Sequence, residues 1–295
     1  MKWFAPAAAA VLAVLVPSIA DARARPDIDP AVWVVRDADT TIYMFGTFHL
    51  LDGKSDWFND EVRTAFDAAQ EVTLEAIMPD DPRALQALVM KYALDPSGRT
   101  LPERLDAATK SKLDQALTAA GVDPRSFDRF KPWFAASALT SLSVERHGLT
   151  GAAGPEAAIK QLGLSSGKKI SELEGIEKQL AMFDRLPEAE QVKYLEQTLD
   201  ENKDLEKQLP VLLKAWGTGN TKKLAAMLNE GLKKTPAIYK AMFVDRNATW
   251  TDWIAQRLDK PGTVFLAVGA GHFAGKDSVL DMLARRGLKW KRYKG

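Results

Sequence analysis

The 295-residue chain contains no cysteine. Thiol nucleophiles, cysteine-ligated zinc, iron–sulfur clusters and disulfides are therefore excluded, and stability has to come from a packed core. Charge of neither sign dominates: 40 lysines and arginines face 39 aspartates and glutamates, a net charge of +1 that leaves no electrostatic footprint for nucleic acid. Past the N-terminal segment no run approaches the ~18 consecutive apolar residues of a membrane-spanning helix. Several chemical motifs are missing too. There is no GxSxG nucleophile elbow, no HExxH helix and no P-loop, and Gly151-Ala152-Ala153-Gly154 follows no strand pattern, which removes it as a dinucleotide loop. Histidine is scarce, with 3 in the whole chain.

The N-terminal segment has the layout of a secretory signal peptide. Lys2 precedes an apolar stretch from Ala5 to Ile19, and Ala22-Arg23-Ala24 is an Ala-x-Ala-like cleavage site. Residues 1–24 are read as the signal peptide and 25–295 as the mature domain, periplasmic or secreted and without a stable membrane span. Cleavage after Ala20, or retention as an anchor, is the alternative.

Two of the three histidines share one local frame, Gly46-Thr47-Phe48-His49 and Gly269-Ala270-Gly271-His272. Each frame closes an apolar run, Thr41 to Phe45 and Thr263 to Val268, so each imidazole is delivered from the end of a buried strand that breaks at Gly46 or Gly269. An imidazole there can ligate a metal or carry a proton near neutral pH. The third, His147, ends a helix pattern before Gly148 and reads as a partner of the helix C-terminus.

Ala31 to Arg36 and Thr41 to Phe45 predict an antiparallel hairpin. Trp57 to Gln70 has helical spacing, and Glu71 to Ile77 is the next strand. That order implies a right-handed parallel unit. Lys168 to Glu174 is a further strand, Thr263 to Val268 the late buried strand, Asp277 to Arg286 a helix and Leu288 to Tyr293 a closing strand. The stretches 82–163 and 176–257 are helical, the second broken at Pro187, Pro210, Gly217 to Asn220 and Pro236. The fold class is α/β, a mixed, largely parallel sheet built from the two chain ends with a helical middle covering the cleft. Both ends run strand, GxxH, helix, strand, which suggests two half-domains about a pseudo-twofold axis.

In such sheets ligands bind beyond the carboxyl ends of the parallel strands. His49, Glu75, Glu174 and His272 all fall there. Glu172 shares a strand face with Glu174, and Glu174, just before Gly175, is the better candidate. Two imidazoles and a carboxylate suit a catalytic divalent ion with open positions, His49, His272 and Glu75 being the ligands and Glu75 alternatively a base. Arg246 falls off the Phe243, Trp250 and Trp253 stripe, as a surface arginine would; its functional alternative is a guanidinium aimed into the crevice at a carboxylate or a developing oxyanion. The tryptophans, at scattered helical positions, read as core.

Taken together, Ile42-Tyr43-Met44-Phe45-Gly46-Thr47-Phe48-His49-Leu50, Thr73-Leu74-Glu75, Lys131-Pro132-Trp133, Leu173-Glu174 with Gln179-Leu180, Asp245-Arg246-Asn247 and Val268-Gly269-Ala270-Gly271-His272 resemble the TraB/GumN family. That family is related to the Tiki group and more remotely to erythromycin-esterase-like and ChaN-like proteins. The resemblance implies an α/β fold with both GxxH motifs and a glutamate in one cleft and, from the Tiki relatives, a metal-dependent peptidase. By matching position, His49, Glu75 and His272 form the central set, with Arg246, Asn247 and Glu174 around them. Where many relatives carry an aspartate, this chain has Gly154-Pro155-Glu156.

The leading expectation is an exported metal-dependent hydrolase of peptide, amide or ester bonds, using Mn, Co or Zn and a peptide or other small substrate. Catalytic roles fall to Glu75, Arg246 and Glu174, with Gly46, Gly269 and Asn247 in support. The alternatives are a metal-free hydrolase with a histidine base, and a non-catalytic periplasmic protein that binds a peptide or assists polysaccharide export.

Overall fold

The computed structural model describes residues 27–232 and 234–295. Residues 1–24, the segment expected to be a signal peptide, lie outside the described residues. The strands are β1 (Val32–Arg36), β2 (Thr40–Thr47), β3 (Glu71–Leu74), β4 (Lys169–Glu172), β5 (Gly262–Gly269) and β6 (Trp290–Arg292), in one sheet of order β4-β3-β5-β2-β1-β6. β4, β3, β5 and β2 pair in parallel, while β1 is antiparallel to β2 and β6. The sheet is thus α/β and largely parallel, made from the two ends of the chain plus β4. β3, β4 and β6 are shorter than their sequence patterns, at 4, 4 and 3 residues.

The central strands bury both faces, which their near-continuous apolar runs anticipate. Ile42, Met44, Val264 and Leu266 pack on one side, and Phe45, Phe265 and Ala267 on the other. The second side is covered by helices α1 (Asp60–Ala68), through Val62 and Phe66, and α5 (Pro155–Ser165), through Ile159. Between them in sequence lie α2 (Pro82–Ala93), α3 (Ala107–Ala119) and α4 (Pro132–Glu145); after β4 come α6 (Ile176–Asp184), α7 (Glu188–Asn202), α8 (Leu205–Gly217), α9 (Thr221–Leu232) and α10 (Pro236–Tyr239). A π-helical segment, Lys240–Val244, leads into α11 (Asp245–Leu258), and α12 (Val279–Arg285) precedes β6. Trp250, Ile254 and Leu283 of α11 and α12 cover the first side, while α3, α4 and α7 form a separate helical cluster around Leu117, Leu139 and Leu195.

Pro210 does not break its helix. It lies inside α8, which Ala215 and Trp216 hold against the sheet and Leu209 holds against Val144 and Leu149; the bond lost falls in the exposed first turns. The two GxxH frames meet because β2 and β5 are parallel neighbours, with Gly46 opposite Val268 and Thr47 opposite Gly269. Helices α1 and α12 lie on opposite faces of the sheet, but the correspondence of halves stops there: β3 pairs directly with β5, whereas β1 separates β6 from β2.

Candidate active site

Parallel register brings four strand ends to one edge. Thr47 pairs with Gly269, and Leu74 pairs with both Ala267 and Glu172. The ladder runs one step further, with the Glu75 N–H donating to the Ala267 carbonyl at 3.0 Å and the Glu174 N–H to the Glu75 carbonyl at 3.1 Å. Glu75 and Glu174 are thereby buried side by side. Glu172, on the exposed strand end, instead accepts from the Ile77 N–H at 2.6 Å and stays out of the cluster.

Arg246 stands between the two carboxylates. Its Nε donates to Glu174 Oε1 at 2.7 Å, Nη2 lies 2.5 Å from the same oxygen and also bonds Glu75 Oε1, and Nη1 donates to the Met242 carbonyl at 3.0 Å and faces His272 Nε2 at 3.2 Å. Of the five N–H groups of a guanidinium four are hydrogen-bonded, and Nη2 makes its second contact as an ion pair with Glu174. Arg246 is therefore buried and aimed at carboxylates in the crevice, the functional one of the two placements its spacing left open; the buried stripe runs through Arg246, Trp250 and Ile254, with Trp253 only half-buried. No N–H remains for a substrate oxyanion in this arrangement, so Arg246 is a positioning residue. Its guanidinium also sits 4.7 Å from the Trp250 ring centre, a cation–π contact. Gln179 of α6 completes this layer, donating to Glu75 Oε1 and Glu174 Oε1 at 3.0 Å each.

His272 is fixed in one tautomer. The Asn247 amide donates to the Asp277 carbonyl at 2.8 Å, which turns its Oδ1 toward His272 Nδ1 at 2.6 Å. Nδ1 therefore carries the proton and Nε2 accepts from Arg246. Burial, with Arg246 close by, pushes the imidazole down to about 3, so it is neutral across the physiological range. The rings of Phe243 and Trp250 pack on it, with centres at 4.8 and 4.4 Å.

His49 differs in every respect. Its side chain is 57% exposed, Nδ1 lies 2.5 Å from Glu156 Oε1, and Nε2 faces Glu75 Oε2 at 4.0 Å. Glu156 is anchored from behind by the Thr47 hydroxyl at 2.5 Å. Desolvation in the cleft opposes the imidazolium, but the Glu156 carboxylate and then Glu75 outweigh it and push His49 up to about 9. Burial likewise works to raise Glu75, and the charges of His49 and Arg246 reverse it, holding the carboxyl well below its usual range; Glu156 is held down by His49 in the same way. Two glycines permit this packing. A Cβ on Gly154 would stand 2.2 Å from the His49 carbonyl oxygen, and one on Gly269 would stand 2.9 Å from His49 Nε2. The Gly269 N–H also donates to Glu75 Oε2 at 2.9 Å. Gly46 acts at longer range, accepting the Trp216 indole N–H at 2.7 Å.

The fit to a divalent ion is partial. Ligand atoms bound to one ion at ~2.1 Å lie at most ~4.2 Å apart, which His49 Nε2 and Glu75 Oε2 satisfy at 4.0 Å. His272 does not join them: its Nε2 faces the Arg246 guanidinium, which fills the cation position of the cluster. Among the described residues the set of three acidic or imidazole groups whose ligand atoms all lie within 4.8 Å of one another is Asp27, Asp29 and Asp60, exposed and elsewhere. As arranged, the residues expected as ligands do not form a three-donor set.

All the residues expected at the site, His49, Glu75, Glu174, Arg246, Asn247 and His272, gather here. Two residues not counted among the expected site residues also belong: Glu156, which stands where many relatives carry an aspartate and lies in the first turn of a helix begun by Pro155, and Gln179 of the stretch shared with Leu173-Glu174. His147 caps its helix as expected, Nδ1 meeting the Ser143 carbonyl at 2.8 Å. A cleft of about 600 Å³ opens from Glu174 and Arg246 along α6.

Residues 31–292 match the TraB/PrgY/gumN family. The chain is similar to an uncharacterized protein of Treponema pallidum (strain Nichols), 24% identical over 270 residues that cover 87% of this chain and 80% of that protein. It is also similar to the uncharacterized protein YbaP of Escherichia coli (strain K12), 26% identical over 192 residues, 65% of this chain and 71% of YbaP. YbaP of Shigella flexneri matches to the same extent. No solved structure matches.

Proposed function

The chain belongs to the TraB/PrgY/gumN family, and from that premise we propose that it is an exported hydrolase of peptide, amide or ester bonds in which His49 transfers the proton. The supporting observation is the asymmetry of His49: Nδ1 is tied to Glu156 while Nε2, on a side chain that is 57% exposed, faces Glu75 Oε2 at 4.0 Å. One nitrogen is oriented and the other is presented, the arrangement a general base needs.

In this reading a water held at Nε2 gives up a proton to the imidazole as its oxygen attacks the acyl carbon. The C–N or C–O bond then breaks, and Nε2 returns the proton to the departing amine or alkoxide. Such proton transfer contributes ~10²–10⁴-fold. Arg246 favours the ionised form of Glu75 and holds Glu75 and Glu174 in place, and neutral His272 with Asn247 locks the Arg246 side of the wall. No step is routed through a metal ion.

Export is proposed on the N-terminal signal layout alone; among the described residues no helix is long and apolar enough to cross a membrane. The test is turnover of a peptide and ester panel by the protein purified from cells expressing the full chain, beside His49→Ala, with chelator or with added Mn, Co or Zn. Chelator-insensitive turnover lost in His49→Ala is expected. Turnover that requires an added ion would restore the metal reading, for which the 4.0 Å spacing of His49 and Glu75 speaks. Ligand binding without turnover would leave a binding protein.

A further inference from the structure

The cleft has a wall that proton transfer does not employ. Helix α6 is pinned to the cluster by the two hydrogen bonds of Gln179, and from there one stripe of it, Lys178, Ala181, Met182 and Arg185, lines the groove as far as the helix cap. Asp245 and Thr249 face it from α11. The acidic groups along the groove are all engaged. Glu177 is held by Lys91 and by the Tyr92 hydroxyl, each at 2.7 Å, Asp245 by Lys240 at 2.5 Å, and Glu174 by Arg246. Among the described residues Lys178 and Arg185 have no acidic partner, so the groove carries two uncompensated cations beside the reactive cluster.

Their spacing is informative. Seven residues of α-helix advance ~10 Å and return to nearly the same face. A peptide in polyproline-II extension rises ~3.1 Å per residue and turns once in three, so side chains three positions apart share a face ~9 Å apart.

We propose that this groove binds a short acidic peptide in extended form, with carboxylates three positions apart on Lys178 and Arg185, and that these two residues determine substrate specificity. As a substrate the peptide depends on the hydrolytic reading; as a ligand it does not.

The experiment is calorimetry at low salt with the protein purified from cells expressing the full chain. The ligands are a capped alanine-based hexapeptide with two glutamates three positions apart, its glutamine isostere and its lysine counterpart. The acidic peptide is expected to bind at least tenfold more tightly than the other two, and to weaken as sodium chloride is raised. Lys178→Gln/Arg185→Gln should lose that preference at least tenfold, and Lys178→Glu/Arg185→Glu should reverse it toward the lysine peptide. Equal affinity for the three peptides, no binding of any at millimolar concentration, or an unchanged preference in both double variants would overturn the proposal. Calorimetry reads binding and not turnover, so this inference stands or falls on affinity alone, while the peptide and ester panel decides the hydrolytic reading separately.

Discussion

The Nδ1 atom of His49 lies 2.5 Å from Oε1 of Glu156, a residue 107 positions later in the chain. Because the carboxylate stabilises the imidazolium, His49 is a proton donor at neutral pH and becomes a base only as pH approaches about 9. The expected kcat/KM rises with pH through that region. Glu156→Gln removes the anion while keeping an acceptor, so the imidazolium loses its partner and its pKa falls. The rising limb should move at least about one pH unit to the acid side, and the maximal rate should fall ~10–100-fold as the ring loses its orientation. A pH–rate series on both forms checks this; superimposable limbs would remove Glu156 from the mechanism.

His272 supplies the opposite dependence, on stability. Its folded value, about 3, lies below the ordinary 6.5 of an unfolded histidine. Between those values the unfolded chain binds a proton that the folded chain does not, so the contribution is complete above about 6.5 and is lost as pH falls. Glu75 and Glu156, both held down, act in the same direction below the usual carboxylate range. Thermal melts should show Tm declining from pH 6.5 toward 4. In His272→Gln, where an amide can still meet Asn247, the decline between 6.5 and 5 should flatten; an identical slope would show that His272 does not titrate on unfolding.

Much of this was legible in the chain. The apolar runs ending at Gly46 and Gly269 located β2 and β5, and the strand formers before Glu75 and Glu174 carried both acids to the same edge. Helical spacing alone left Arg246 open between the solvent face, where a charged residue is ordinarily put, and the crevice. It joins the buried face here because Glu75 and Glu174, both distant in sequence, compensate it there. The π-helical turn before α11 had no sequence signal, and such turns recur at functional sites. Glu156 could not be paired with His49 by spacing, since the contact depends on α5 approaching the His49 carbonyl across Gly154.

The buried triad of Arg246, Glu75 and Glu174 predicts a non-additive stability series. Arg246→Met strands two buried carboxylates and should cost about 3–5 kcal/mol in urea denaturation. Arg246→Lys keeps one charge but not the fork that reaches both acids, and should fall between. The triple variant Arg246→Met/Glu75→Gln/Glu174→Gln should recover most of the loss, because the penalty lies in unpaired charge rather than in absent attraction. A triple variant less stable than Arg246→Met would contradict that account.

Two glycine substitutions separate the fold from the chemistry. At Gly154 the added methyl would meet backbone, the His49 carbonyl oxygen at 2.2 Å and the Gly151 carbonyl oxygen at 3.0 Å. Neither can yield without moving α5 or the loop, so Gly154→Ala should lower stability by about 1–3 kcal/mol, the usual cost of overpacking. At Gly269 the obstacle is the end of a side chain, His49 Nε2 at 2.9 Å, on a ring that is 57% exposed and free to turn outward. Gly269→Ala should therefore leave Tm within a few degrees of wild type while displacing Nε2 by on the order of 1 Å, enough to cost ~100-fold in turnover. Melting curves and initial rates on the two variants decide the matter. If Gly269→Ala is as unstable as Gly154→Ala, or turns over at the wild-type rate, the Nε2 position is not what the cleft depends on.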